Sequence, residues 1–383
     1  MKPMDVLASL NDVRDSFVLE SALPASGDVL PVPRKKRPRG GRYRDHSLGR
    51  MFSEGWVVAA VCTLVAAGTL AGMVYLGQRP PPLSSVTDGP ASSGIVDTAP
   101  VTESVVTASL VYVSHGDGTC SVKAADSFGA SAEDAHLVIP AASPAGETVT
   151  AVEDYGFIWK RGIRTVTLPD TVTRIGQWAF AQCTALESVA LPEGLTEIGT
   201  AAFLECTALR SLTLPEGLTA MGDSAFSTCT ALRTLSLPST LRTLPQWAFY
   251  GCTALEEIQF SEGLSEIGYC AFYGCASLRT VGLPSTARTL RKGSFAACAE
   301  LLSVTLPEGA EVVEALAFED CGKLVSVTLP ESMTALGSTA FRGCSALRTV
   351  IFTGTKARWQ ALAAELNFSV NCTVHCTDGT VKY

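Results

Sequence analysis

Hydrophobic and polar residues alternate along most of this chain with a fixed period of 23 residues. The most regular apolar residue is a phenylalanine that recurs at Phe157, Phe180, Phe203, Phe226, Phe249, Phe272, Phe295, Phe318 and Phe341. No insertion breaks this register, and a unit of this length cannot bury its apolar face alone. We therefore expect each unit to stack on its own copy as one coil of a solenoid.

Each unit contains a second pattern, counted here from the phenylalanine as position 0. Position +6 is Leu or Ile, and positions +9 and +11 are apolar in all nine units. This alternation is typical of a half-buried strand, which the proline found at +12 in seven units would end. The pattern predicts a curved parallel β-sheet with one short strand per coil, strands about 4.8 Å apart, and short helical turns or strands on the outer side.

Cysteine occupies position +3 in eight units and Lys160 in the first. With the phenylalanines, the cysteines form a predicted core ladder of Phe180, Cys183, Phe203, Cys206, Phe226, Cys229, Phe249, Cys252, Phe272, Cys275, Phe295, Cys298, Phe318, Cys321, Phe341 and Cys344. Parallel Cβ vectors one coil apart fit disulfide geometry poorly. Metal binding needs ligands that converge, which a linear ladder does not provide. Buried free thiols are therefore the favoured interpretation.

The repeated unit AFxxCxxLxxVxLPxxLxxIG resembles the BspA-like class of leucine-rich repeats, found on surface proteins of bacteria and some parasitic protists. The resemblance covers residues 157–352. Residues 108–156 resemble an N-terminal cap, and residues 353–383 resemble the closing segment of such proteins. It implies a leucine-rich-repeat solenoid used for adhesion or recognition at a cell surface, and it brings no catalytic residues.

The N-terminal third predicts a membrane anchor. Residues 56–77 are uncharged and long enough to span the hydrocarbon core of a bilayer. Residues 34–50 carry eight Lys or Arg against one acid, which places residues 1–55 in the cytoplasm and the repeats outside. Residues 78–107, rich in Pro, Ser and Thr, predict a disordered stalk. A cleaved signal peptide is the alternative, which the long segment before the span disfavours.

Charge and motifs narrow the function classes. The net charge of -8 argues against nucleic acid as the main partner. No nucleophile–base pair, carboxylate constellation or phosphate loop indicates an enzyme, and no motif indicates a cofactor. The expected function is therefore non-enzymatic recognition or adhesion, with an extracellular protein or glycan as the ligand. The alternative is a transmembrane sensor whose residues 4–23, with helical periodicity, bind a cytoplasmic regulatory protein.

The expected binding surface is the outward face of the strands. Positions +8 and +10 hold Ser or Thr in 13 of 18 places, edged by Arg at +7 and acids at +13. Such hydroxyls also suit plain exposed strands. Coil five, counted from the unit of Phe157 as coil one, departs from this pattern because it has Glu and Gln where other coils have hydroxyls. The candidate ligand-binding residues are therefore Arg233, Glu256, Glu257, Gln259 and Arg279.

The remaining cysteines fall outside the ladder. Cys120 and Cys270 are off the +3 register, so we expect exposed thiols there. Cys372, His375 and Cys376 lie close together in the C-terminal segment. They leave three possibilities open: a local disulfide, a metal site, or plain capping residues.

Overall fold

The computed structural model describes residues 110–125, 128, 135–364 and 371–383. These residues belong to one compact unit, Asp97–Tyr383. The predicted cytoplasmic tail, membrane span and stalk, residues 1–107, lie outside the described residues. Among the residues that are described, no helix is both long and apolar enough to cross a membrane.

The described residues form short strands throughout and a helix, α1, near the C-terminus. The strands are β1 (Leu110–Ser114), β2 (Thr119–Ala124), β3 (Ala135–Val138), β4 (Thr148–Val152), β5 (Ile163–Thr167), β6 (Arg174–Ile175), β7 (Ser188–Ala190), β8 (Glu197–Ile198), β9 (Ser211–Thr213), β10 (Ala220–Met221), β11 (Thr234–Ser236), β12 (Thr243–Leu244), β13 (Glu257–Gln259), β14 (Glu266–Ile267), β15 (Thr280–Gly282), β16 (Thr289–Leu290), β17 (Ser303–Thr305), β18 (Val312–Val313), β19 (Ser326–Leu329), β20 (Ala335–Leu336), β21 (Thr349–Phe352), β22 (Thr373–Cys376) and β23 (Gly379–Lys382); α1 is Lys356–Leu362.

Each coil contributes two strands, where the sequence predicted one with turns or strands elsewhere. Strands that include positions +8 to +10 form a front layer, which we call the front sheet. Strands at +17 and +18 form the back sheet. Both pair in parallel with a register of 23 residues, as in Thr234 with Glu257 and Thr243 with Glu266. The constant coil length brings the backbone at +17 and +18 beside its copy, so a second ladder forms there.

A third side of each coil, which we call the turn side, runs from position -3 to +2. Its backbone N–H groups at -2, 0 and +2 donate to carbonyls of the next coil; one example is Trp178 N to Thr200 O, 2.8 Å. Residues at -2 and +2 take positive φ, 56° at Trp178 and 57° at Gln182. This left-handed conformation costs a non-glycine residue roughly 1–2 kcal/mol, so the stacked hydrogen bonds and core packing must offset it.

The core is a column of phenylalanine rings. Consecutive rings from Phe157 to Phe341 stack nearly parallel, with centroids 5.1–5.8 Å apart. Each ring from Phe157 to Phe341 is at least 98% buried. Leucines at +6 and apolar residues at +18 complete the core on the two sheet layers. Burial of this continuous column is what holds the coils together.

The structure adds a coil before the nine found in the sequence. Strand β3 pairs with β5 in the front sheet, and β4 pairs with β6 in the back sheet. Phe128 packs edge-on against Phe157, with centroids 5.7 Å apart, and so begins the column. Six extra residues in this coil, before β4, put Phe128 out of the 23-residue register. A turn at residues 115–118 joins β1 to β2, which pair as an antiparallel hairpin.

The C-terminal segment closes the other end of the column. Strand β22 pairs in parallel with β21 and then forms an antiparallel hairpin with β23. Thr355 caps the N-terminus of α1 through its side chain. Trp359 on α1 is fully buried against Phe352, and its indole N–H donates to the Tyr383 hydroxyl at 3.0 Å. The helix therefore shields the last coil from water.

Candidate binding surface

The front sheet presents its even positions to solvent. Strands β9, β13, β15 and β17 have the same pattern of exposed, buried, exposed. The buried residue is the apolar +9, so the side chains at +8 and +10 point outward, as strand alternation requires. Most of these are hydroxyls. The structure therefore places the predicted Ser and Thr positions on one exposed face.

The residues at +7, beside this face, form ion pairs rather than a row of free arginines. Glu187 contacts both Arg164 at 3.3 Å and Arg210 at 3.7 Å. Arg233 pairs with Glu256 at 2.9 Å, with 68% and 54% of the two side chains exposed. Exposed pairs of this kind contribute about 0–1 kcal/mol. They neutralise most of the charge along this edge.

The five candidate residues lie together on coils four to six. Glu257 sits beside Thr234 and Gln259 beside Ser236, across β11 and β13. Glu256 accepts its hydrogen bond from Arg233. Arg279, on the other side of Glu256, is therefore exposed and has no partner among the described residues. Glu257 and Gln259 likewise make no side-chain hydrogen bond within the described part of the chain. The five candidates thus comprise one ion pair, Arg233 with Glu256, and three polar side chains that have no partner among the described residues.

The front sheet is interrupted at two places. Its hydrogen-bonded ladder stops between β7 and β9, and again between β13 and β15. Core residues at +9 or +11 are half-exposed at these gaps: Val189 and Leu191 at the first, Phe260 and Leu283 at the second. The first gap forms an open cleft of about 260 Å³, lined by Ser188–Leu191, Glu193, Ser211, Thr213 and Pro215. The candidate group borders the second gap.

Part of the predicted acidic row has a structural role. Glu216 accepts hydrogen bonds from the backbone N–H and hydroxyl of Ser239, at 2.9 and 2.7 Å. Glu262 does the same for Ser285. These bonds lower the pKa of both carboxyl groups, through the hydroxyl first for Glu216 and the N–H first for Glu262. The row therefore caps turns and offers fewer free acids than its sequence indicates.

The ladder cysteines are free and fully or almost fully buried. Each thiol donates to the carbonyl of the phenylalanine 26 residues earlier, at 3.1–3.4 Å. Burial raises the pKa of Cys252 and Cys298 to about 12. A thiol so disfavoured as a thiolate is a poor nucleophile, so position +3 is a structural position.

The prediction for Cys120 and Cys270 is wrong, and of the possibilities left open for Cys372 and Cys376 the structure shows no disulfide. Cys120 and Cys270 are buried, 0% and 4% exposed, so the predicted exposed thiols are absent there. Cys120 lies on β2 within the apolar core, and Cys270 occupies position -2 of coil six. Cys372 is buried and Cys376 half-buried, and both are free thiols. Burial raises the pKa of each.

Two features of the surface were missed by reasoning from the repeat. Leu302 and Val325, both 46% exposed, continue the +7 row where charged residues stand in other coils. Trp247, Tyr250, Tyr269 and Tyr273 are half-exposed on the turn side of coils five and six. Both features are departures from the repeat and are therefore visible in the sequence. The sequence prediction, however, used only the departures on the front sheet.

The chain was compared with known proteins. The family model for the BspA type leucine rich repeat region matches in six copies over residues 150–278 and 231–348, together slightly more than half of the 383 residues. No curated protein matches.

Solved structures with a similar arrangement include three bacterial proteins. A leucine rich cell surface protein from Faecalibacterium prausnitzii A2-165 is 20% identical, with a TM-score of 0.38, over 73% of this chain and 100% of that one. The leucine rich repeat protein of T. pallidum is 23% identical, with a TM-score of 0.37, over 68% and 94%. A leucine-rich repeat protein from Bacteroides ovatus ATCC 8483 is 20% identical, with a TM-score of 0.28, over 70% and 98%.

Proposed function

Because this chain belongs to the BspA type of leucine-rich-repeat proteins, we propose that it is a non-enzymatic recognition or adhesion protein of a bacterial cell surface. Its ligand is an extracellular protein, which binds the front sheet around coils five and six. The membrane anchor predicted at residues 56–77 would hold the repeats outside the cell. No cofactor enters this function.

The single observation that carries the proposal is Arg279, which has no partner within the described part of the chain. Every neighbouring coil either neutralises its +7 arginine or lacks one, as with the Arg233–Glu256 pair and with Leu302. Arg279 therefore leaves an exposed guanidinium beside the free Glu257 and Gln259. A planar group with several donors suits a carboxylate on a partner, and polar groups of both signs favour a specific partner over a general one.

Binding of the full chain to a panel of extracellular host proteins tests the proposal. For any protein that binds, Arg279→Ala should weaken binding about tenfold or more. The double variant Glu257→Thr/Gln259→Thr, which restores the hydroxyls of other coils, should also weaken it. Arg288→Ala, an equal charge change beside the back sheet, is the matched control and should bind as the parent does. Unchanged binding in both front-sheet variants would refute the proposed surface.

A sensor role is the second candidate, favoured by the helical periodicity of residues 4–23. A tail that only precedes an anchor should capture no specific partner. A pull-down from bacterial cytoplasm with residues 1–55, compared with a shuffled tail of the same composition, separates the two roles. Reproducible capture of one regulatory protein by the native tail alone would favour the sensor.

A further inference from the structure

Coils four and five form a step on the turn side, away from the front sheet. On coil five, Trp247 at -2 and Tyr250 at +1 stand as half-exposed aromatic side chains. On coil four the same two positions hold Ser224 and Ser227. Because the serine side chains are short, the larger aromatic side chains of coil five project beyond them. Trp247 and Tyr250 are called the wall of this feature, and the serines of coil four its floor. We call this feature the aromatic step.

The wall is fixed in place by the next coil. Tyr250 stacks on Tyr273 with ring centroids 5.1 Å apart and planes 8° from parallel. One face of the Tyr250 ring is therefore covered by Tyr273, and its other face is on the side of coil four. Trp247 packs edge-on against Tyr269, with centroids 5.6 Å apart. Rings held in this way lose little further freedom when a ligand binds.

The floor and side of the step are polar. On coil four, Ser224 and Thr228 are half-exposed, whereas Ser227 is buried and its hydroxyl donates to the Tyr250 carbonyl at 3.4 Å. Gln246 donates its side-chain N–H to Asp223 at 2.8 Å, beside the wall. The step therefore combines apolar ring faces with hydroxyl, amide and carboxylate groups within two coils. None of the described residues that form the step is basic, so it offers no match for phosphate or nucleic acid.

The fold does not require these aromatic residues. The phenylalanine column already fills the core, and Trp247 and Tyr250 lie outside it. Coil three holds Ala201 and Leu204 at the same positions, and coil seven holds Gly293 and Ala296. Coils with small side chains there have the same backbone hydrogen bonds on the turn side. A role in binding explains the two aromatic residues, whereas the repeat does not.

We propose that the aromatic step binds a neutral oligosaccharide of pyranose rings. The C–H face of a pyranose is apolar and flat enough to lie against the Tyr250 and Trp247 rings. Its edge carries hydroxyls that can donate to Asp223 and accept from Gln246 or the hydroxyl of Ser224. A few placed polar groups next to aromatic side chains are the usual composition of a small-ligand site. This inference does not depend on the front-sheet proposal.

The test uses the full chain in a detergent without a sugar headgroup, because such headgroups would compete. Titration calorimetry with four hexasaccharides is the measurement: β-1,4-linked glucose, N-acetylglucosamine and mannose, and α-1,4-linked glucose. We expect at least one to bind with a Kd tighter than about 1 mM. Trp247→Ser and Tyr250→Ser, which copy coil four, should each weaken that binding about tenfold or more.

Controls separate this site from a folding defect and from the front sheet. Trp178→Ser changes an aromatic residue at the same -2 position, but its coil has Ala181 at +1 and so no wall; binding should be unchanged. Arg279→Ala should also leave saccharide binding unchanged. Failure of all four saccharides to bind, unaltered binding by both step variants in proteins with the parent's thermal midpoint, or capture of a protein by the step instead would overturn the proposal.

Discussion

At the scale of single residues, the thiol at +3 has a defined task. The phenylalanine carbonyl on the turn side accepts the backbone N–H of its own coil's +3 residue and, from the next coil, a thiol. In the first full coil Lys160 replaces cysteine, and its ammonium donates to the Phe128 carbonyl at 2.9 Å. Inside the stack, the phenylalanine carbonyl therefore accepts from a thiol, which is a small and weak donor. At the end of the stack, near water, it accepts from the long, charged side chain of Lys160.

Alkaline unfolding is the expected consequence of burying these thiols. The pKa of Cys252 and Cys298 is about 12 in the folded chain, whereas an exposed thiol ionises near 8.5. As the pH rises above about 9, the unfolded chain loses thiol protons that the folded chain keeps, so stability falls until about pH 12 and is unaffected below pH 8. Urea midpoints between pH 7 and 11, measured with reductant, should therefore decrease steeply.

The double variant Cys252→Ala/Cys298→Ala provides the comparison. It should be less stable at pH 7, because each change removes a hydrogen bond and leaves a small cavity. Its midpoint should then fall less steeply above pH 9, since two fewer thiols titrate. A parent midpoint that stays level up to pH 11 would contradict the burial of the ladder thiols.

Ser294 is an imperfection in the repeat with a measurable cost. It occupies the -1 position, where Ala271 and Ala317 stand in the adjacent coils. Its hydroxyl is fully buried and has no hydrogen-bond partner within the described residues. Ser294→Ala should raise the free energy of unfolding by about 1 kcal/mol, measured by urea denaturation. The reverse change, Ala271→Ser, should lower it by a similar amount; a loss of stability in Ser294→Ala would count against this account.

At the scale of elements, three hydrogen-bonded ladders hold the coils together, and the front ladder is interrupted most often. The back sheet has one interruption, between β10 and β12, and is continuous from β12 to β20. The turn-side hydrogen bonds link most neighbouring coils. The front sheet breaks beside β7 and β13, and these are the strands next to Glu187 and Glu256, the two acids of the +7 row. The front face therefore has two places where the stack can open locally without losing its core column, against one on the back sheet.

Hydrogen exchange should detect the two breaks. Amides on the facing edges of β7 and β9, and of β13 and β15, should exchange about tenfold or more faster than those between β17 and β19. Strands β17 and β19 are the internal control, because their pairing is complete and their Ser-Val-Thr sequence is similar to Ser-Val-Ala of β7 and Ser-Leu-Thr of β9. Equal protection at all three junctions would mean that the front sheet is continuous in solution.

The sequence predicted the elements that depend on periodicity, and missed those that depend on backbone conformation. Alternation at +9 and +11 predicted the front strands because side-chain burial produces that pattern. The back strands agree with the short turns or strands predicted for the outer side, but the left-handed turns leave no trace in the apolar pattern: Thr228, a β-branched residue, takes φ of 60°. The coil at Phe128 escaped notice because an insertion displaced it from the register, although Leu137, Ile139 and Pro140 keep their positions relative to it.

At the scale of the whole molecule, one invariant frame supports surfaces that differ from side to side. The core ladder repeats almost without change, so specificity has to come from the departures outside it. Coil five carries departures on both sides: the group of Glu256, Glu257 and Gln259 on the front sheet, and Trp247 and Tyr250 on the turn side. A protein ligand and a saccharide could therefore bind the same coils without excluding each other.

The central claim, that the front sheet is the recognition surface, is tested most directly by locating the bound ligand. A photo-crosslinking residue at Gly282 would be tolerated, because a side chain there points into open space on β15 beside Arg279. The same residue at the exposed Thr243 on β12 reports on the back sheet. The account predicts ligand crosslinking from position 282 and little from position 243. Crosslinking from position 243 alone would contradict it.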